Sequence, residues 1–209
     1  MTDTPLDQRE RDELCDLLLE LGPDAPTLCE GWTTLDLAAH LAAREREPWA
    51  SAGLMIEKLA PYTERRRQAW KTKGLDALVA RLRPGPPPWY RIPPVRTLVN
   101  LNEWAIHHED VRRANGRSRR DDRADLEDAI WRGLRRGARF LTRRVKGAGV
   151  DLVPPVGEPA MGSGEPRAEL RGEPLELLLY LSGRRTAAEV ELTGPEAAVA
   201  AVENAAFGL

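Results

Sequence analysis

Apolar residues recur at helical spacing from Pro5 to about Gly22, where Leu6, Leu14, Leu17, Leu18 and Leu21 are separated by charges and Gly22-Pro23 supplies the stop. After the turn-like Pro23–Pro26, Trp32-Thr33-Thr34 offers an N-cap. Leu35, Leu37, Ala38, Leu41 and Ala42 then form the stripe of a second helix, which Pro48 ends or kinks. A more polar stretch, Ala50–Arg83, contains helical pieces at Leu54–Leu59, Thr63–Lys71 and Leu75–Leu82. The prolines at 84, 86–88, 93 and 94 forbid regular structure between them. A long helix is predicted from about Val95 to Ala114, closed by Asn115-Gly116. Another runs from Asp122 to about Lys146, with Leu126, Ile130, Leu134, Ala138, Leu141 and Val145 on one side and five arginines on the other.

The pattern changes after Gly147. Val150–Val153 reads as a short strand and Gly157–Pro166 as a Gly/Pro-rich loop. Two similar units follow, each a short alternating strand, a glycine turn and a helix with proline in its first turn: Ala168–Pro174 into Leu175–Leu181, and Ala188–Pro195 into Glu196–Ala206. The expectation is a helical bundle over residues 1–148 and a small α+β domain over 149–209.

Composition narrows the classes. The 209 residues carry 31 Lys+Arg against 33 Asp+Glu, a formal charge of -2, which argues against a surface given over wholly to polyanions. Cys15 and Cys29 stand in no metal or redox spacing and read as inert core or loop thiols. The N-terminal stretch has no apolar signal region and no run approaches the ~20 residues of a membrane span, so the expectation is a cytoplasmic, reduced protein with no membrane role.

Histidine is scarce: only His40, His107 and His108 occur. His107 follows Glu103 by four residues, which on a helix sets carboxylate and imidazole one turn apart on one face. His40 lies on or beside the apolar stripe of the second helix and should point into the bundle. Two imidazoles and a carboxylate from two helices make a three-ligand set that leaves a position open for water or substrate. Zn²⁺ suits it, with Ni²⁺, Fe²⁺ or Mn²⁺ as alternatives. The plainer reading is an i,i+4 ion pair beside a core histidine bonded to a backbone carbonyl. His108, rotated about 100° from His107, is not counted as a ligand and is expected to cap or orient a neighbour such as Glu109 or Asp110.

Leu28–Leu41, with its Asp-Leu-Ala-Ala-His-Leu run, and Asn102–Arg113, with its Glu-Trp-Ala-Ile-His run, resemble two signature stretches of actinobacterial proteins built on the mycothiol-dependent maleylpyruvate isomerase N-terminal domain, within the DinB/YfiT-like superfamily. The stretches Gly172–Arg184 and Val190–Gly194 are similar to the small C-terminal domain of the same proteins. The resemblance implies a DinB-like up-down four-helix bundle followed by a small α+β lobe, and metal ligands at His40, Glu103 and His107. It also implies a thiol-dependent transferase or isomerase, with mycothiol as cosubstrate and a small electrophile as substrate. The alternative is a non-catalytic metal- or ligand-binding module with a protein or nucleic-acid partner. Which electrophile is used, which residue is catalytic and whether the chain is a homodimer stay open.

Residues 112–146 carry twelve Arg and one Lys against five acids. Because the arginines fall on the polar face of an amphipathic helix and acids elsewhere balance the charge, the sequence argues against nucleic acid and for one or two arginines meeting an anionic thiol or substrate. Trp32, Trp104 and Trp131 are expected in the core, and Trp49, Trp70 and Trp89 at the bundle mouth.

Overall fold

The computed structural model describes residues 4–47, 49, 57–87 and 100–208. They divide into two compact units, 1–119 and 120–209.

The first unit is helical. Its elements are α1 (Leu6–Leu21), α2 (Thr34–Arg46), a 3-10 turn at Glu57–Leu59, α3 (Ala60–Lys71), α4 (Leu75–Leu82) and α5 (Leu101–Ala114). Helix α2 starts where the sequence predicts: Thr33 and Asp36 form a reciprocal capping box that satisfies two otherwise orphaned donors. Gly22 ends α1 at a φ of 80°, a left-handed value that a Cβ would penalise. Helix α5 closes at Asn115-Gly116 as the sequence predicts. Its expected first residues, and the expected piece starting at Leu54, lie partly outside the described residues. Helices α1, α2 and α5 and the α3–α4 segment form the bundle, with α1 packed on α5, α4 and α2, and α2 on α3 and α4.

The spacing of apolar residues explains that packing. Leu14 and Leu18 on α1, Leu37 and Leu41 on α2, Leu78 and Leu82 on α4, and Trp104 and Val111 on α5 are all fully buried in one cluster. Each leucine contributes on the order of 1.5–3 kcal/mol on leaving water. Inside this core lies a buried cation. Arg11 is wholly enclosed, its guanidinium paired with both oxygens of Glu45 and donating to the Leu82 carbonyl while stacking 4.0 Å from the Trp104 ring. It thereby ties four helices together. Trp70, expected at the mouth, is also core at 7 % exposure, with its indole N–H donated to Glu47.

The second unit contains α6 (Ala124–Leu141), β1 (Gly149–Val153), β2 (Arg167–Arg171), α7 (Pro174–Leu181), β3 (Glu191–Thr193) and α8 (Glu196–Glu203). The strands form one sheet in the order β1-β2-β3, the first pair parallel and the second antiparallel. Both predicted strand–turn–helix units are present, β2 into α7 and β3 into α8. Gly149 sits at a close approach: a Cβ there would lie 2.4 Å from the Gly164 carbonyl oxygen. Val150, Leu152, Ala168 and Leu170 are fully buried in the sheet, against an α7 that is buried on every side. The units do not part at residue 148: α6, expected in the bundle, packs on α7 and β1 within the second unit. Its apolar stripe is the covering layer that the small sheet needs.

Candidate metal centre

Two helices of the first unit supply the site. Along α2, Asp36, His40 and Arg44 follow at four-residue intervals and so share a face, and along α5 Glu103, His107 and Asp110 share one at intervals of four and three. The connection before α2 is fastened to α5 by two bonds, Leu28 N–H to the Asp110 carbonyl at 3.1 Å and the Asn115 amide to the Pro26 carbonyl at 3.0 Å. Thr27 Oγ1 holds the same loop by donating to the Trp32 carbonyl. Cys29 and Trp32 are thereby placed beside the histidines.

The three residues singled out by spacing converge. His40 Nε2 and His107 Nε2 each lie 3.4 Å from the same oxygen, Glu103 Oε1, and the two rings are 5.5 Å apart. Both histidines are buried, and Glu103 is largely so. A separation of 3.4 Å is long for a charge-assisted hydrogen bond, which favours about 2.7–2.9 Å. It falls in the range of about 3.3–3.6 Å that separates donor atoms around a four-coordinate ion with bonds of about 2.0–2.2 Å. The donor set, two imidazole nitrogens and a carboxylate, therefore fits a divalent cation in both chemistry and spacing.

The surroundings orient these donors. His107 Nδ1 donates to Asp110 Oδ2 at 2.8 Å, which leaves Nε2 facing Glu103, and the Cys29 thiol donates to the same Asp110 oxygen at 3.3 Å. Asp110 is fully buried. The Trp32 ring lies 5.1 Å from His40, and the Arg67 guanidinium covers its outer side at 4.8 Å while pairing with Asp36. Arg44 Nε reaches Glu103 Oε1 at 3.3 Å.

Electrostatics follow from these contacts. Burial holds the His40 pKa below its ordinary value, against the pull of Glu103. Burial acts the same way on His107, but Asp110, Cys29 and Glu103 outweigh it and raise that imidazole well above the ordinary range. For Glu103, burial is overcome by His107, His40 and Arg44, and the carboxyl is held well below its usual value.

His108 points away from this cluster, as its rotation on α5 requires. Its ring nitrogen Nδ1 bonds Glu10 of α1, at 3.0 Å. A contact 98 residues distant in sequence leaves no local signal. Cys15 is the core thiol expected, with burial pushing it up to about 12. Cys29 is part of the site's surroundings, which its sequence position did not indicate. Asp110 was also missed as a partner of His107, although its place three residues further along α5 is the spacing that brings it there.

The arrangement is that of a DinB-like fold, a helical bundle with a small appended α+β unit. Among solved structures the chain is similar to the crystal structure of the mycothiol-dependent maleylpyruvate isomerase, at a TM-score of 0.56 and 20% identity, covering 91% of this chain and 94% of that one. A histidine-to-alanine variant of that isomerase matches at a TM-score of 0.57 and 19% identity over the same shares. No protein-family model matches the chain, and comparison with curated sequences gives no match either. Among the described residues no helix is long and apolar enough to cross a membrane.

Proposed function

We propose that the chain binds one divalent metal ion, Zn²⁺ first among the alternatives, through His40 Nε2, Glu103 and His107 Nε2. We further propose that it acts as a thiol-dependent transferase or isomerase on a small electrophile. The observation that carries the reading is the convergence of both Nε2 atoms on Glu103 Oε1 at 3.4 Å, with the opposite edge of His107 held by Asp110. A carboxylate on the far nitrogen of a ligand histidine fixes its tautomer and raises its basicity, an arrangement that a plain surface ion pair does not need.

A bound divalent ion would favour the thiolate form of an incoming thiol, the form that attacks electrophiles. The chain's own residues do the rest. Asp110 keeps the proton on His107 Nδ1 so that Nε2 faces inward, and the Trp32 ring restrains the plane of His40. Three protein donors leave a position for the thiol. Mycothiol is the thiol named for both similar structures, and the reading takes it as the cosubstrate here. Cys29 and Cys15 are not assigned the nucleophile's role, the first being committed to Asp110 and the second enclosed in the core.

The test begins with metal analysis of the purified protein beside His40→Ala and His107→Ala. One ion per chain in the parent and loss in both variants is expected, and stoichiometric metal surviving both substitutions overturns the site. Calorimetric titration with mycothiol, then turnover across a panel of electrophiles, addresses the activity. Full metal occupancy with no thiol affinity would leave a non-catalytic metal-binding module as the better description.

A further inference from the structure

The arginine-rich helix is not used by the metal centre. Between Ala129 and Val150 the chain has seven Lys or Arg residues and no Asp or Glu. On α6, Leu126, Ile130, Leu134 and Ala138 face the interior of the second unit, and Arg132, Arg135, Arg136 and Arg139 are exposed on the other side, as is Arg143 in the turn that follows. Among the described residues, none of these five guanidiniums has a carboxylate within ion-pair distance. The acids that balance the charge of the whole chain do not balance this face. Charge balance elsewhere in the chain, one of the grounds on which the sequence argued against a polyanion, therefore does not apply to this face.

The geometry is a line rather than a field. At about 100° and 1.5 Å per residue, Arg132, Arg136 and Arg139 fall within a sector of about 60° over about 10 Å, and Arg143 follows in the turn beyond. Like charges three and four residues apart destabilise a solvated helix, and interspersed acids would have relieved this. Beside the row stands Phe140, 66% exposed, with the Arg143 guanidinium stacked 3.5 Å from its ring. An anionic bilayer is planar and is engaged by helices that insert an apolar face, yet the apolar face of α6 is already buried in its own unit. A linear row of arginines ending at an exposed aromatic ring matches a linear polyanion that carries flat bases.

We infer that the exposed face of α6 binds the phosphodiester backbone of a nucleic acid without regard to sequence. Arg132, Arg136, Arg139 and Arg143 would contact successive phosphates, Arg135 would flank them, and Phe140 would meet a base.

Fluorescence anisotropy of the full chain with a labelled 20-nucleotide single strand, and with its duplex, between 50 and 300 mM NaCl tests this. Four to five phosphate contacts give a log–log salt slope of about -3 to -3.5 on the single strand and about -3.5 to -4.5 on the duplex. Arg136→Gln with Arg139→Gln should reduce the slope by about 1.5–2 and weaken binding at 50 mM by roughly 10–100-fold. The paired lysine replacements should retain the slope. Arg132→Gln with Arg143→Gln provides an independent second pair, and circular dichroism confirms that each variant is folded. The inference is overturned by an absence of salt-dependent binding at 50 mM NaCl, or by a slope that neither glutamine pair changes. Binding of phosphatidylserine vesicles or polyglutamate in place of both nucleic acids would overturn it equally. Metal content is unaffected by these substitutions, so this outcome is read separately from that of the metal centre.

Discussion

Asp110 accepts the Nδ1–H of His107 at 2.8 Å from a fully buried position, so the orientation of one proposed metal donor is set by a residue that would never touch the metal. Asp110→Asn keeps the volume but removes the charge. Loss of such an outer partner typically costs about 10–100-fold in metal affinity. Competition titration against a chromophoric chelator should show a fall of that size, with the helix content unchanged. An affinity equal to that of the parent would mean that His107 is oriented by its helix alone.

Metal uptake should depend on pH through the same imidazole. In the metal-free protein His107 stays protonated well above its ordinary range, and its Nε2 must shed that proton before it can donate a lone pair. Below the raised pKa, affinity should therefore fall about tenfold per pH unit, and each ion bound should release about one proton at neutral pH. Titrations in buffers of different ionisation enthalpy count that proton. In the metal-free state the sign for stability is the reverse. The raised pKa stabilises the fold below the ordinary histidine value, and that contribution is lost as pH rises through the folded-state pKa. A metal affinity that is flat between pH 5 and 8 would contradict the assignment of His107.

Much of this was legible in the sequence because it is local. The spacing of Glu103 and His107 is a property of one helix, and the capping box at Thr33 and Asp36 lies within four residues. The strand–turn–helix units at β2–α7 and β3–α8 are punctuated by their own glycines and prolines. What escaped is non-local. The pairing of His108 with Glu10, the burial of Trp70 against Glu47 and the placing of Cys29 beside Asp110 each join segments far apart in the chain. Helix α6 has an apolar stripe that suits a bundle and a sheet equally well, so periodicity alone could not assign it to the second unit. The balanced net charge concealed the unpaired arginine face for the same reason: a sum carries no positions.

Arg11 and Glu45 form a buried pair whose partners should fail unequally. Arg11→Met leaves the Glu45 carboxylate enclosed without its cation, which costs about 3–5 kcal/mol. Denaturant unfolding should show a loss of that order. Combining it with Glu45→Leu removes the stranded charge, and since buried pairs replaced by apolar residues are often near neutral, most of the loss should be recovered. A double variant no better than Arg11→Met would place the energy in the stacking on Trp104 and the bond to the Leu82 carbonyl instead.

Asp36 contributes to the acid sensitivity of the first unit. Burial disfavours its charge, but Lys71, the Thr33 cap and Arg67 more than compensate and bring the carboxyl from 3.8 to about 2. A depressed carboxyl stabilises the fold above its unfolded pKa, and the contribution disappears as pH falls through the folded value. The window is therefore from about pH 4 down to about pH 2, and the amount at neutral pH is about 2 kcal/mol. Asp36→Asn retains an acceptor for the Thr33 N–H but loses the pairing with Arg67 and Lys71. Stability measured by urea unfolding at pH 7 should drop by about that amount, and the difference between parent and variant should shrink toward pH 2. A difference that stays constant across this range would show that Asp36 acts as a cap through geometry rather than through its charge.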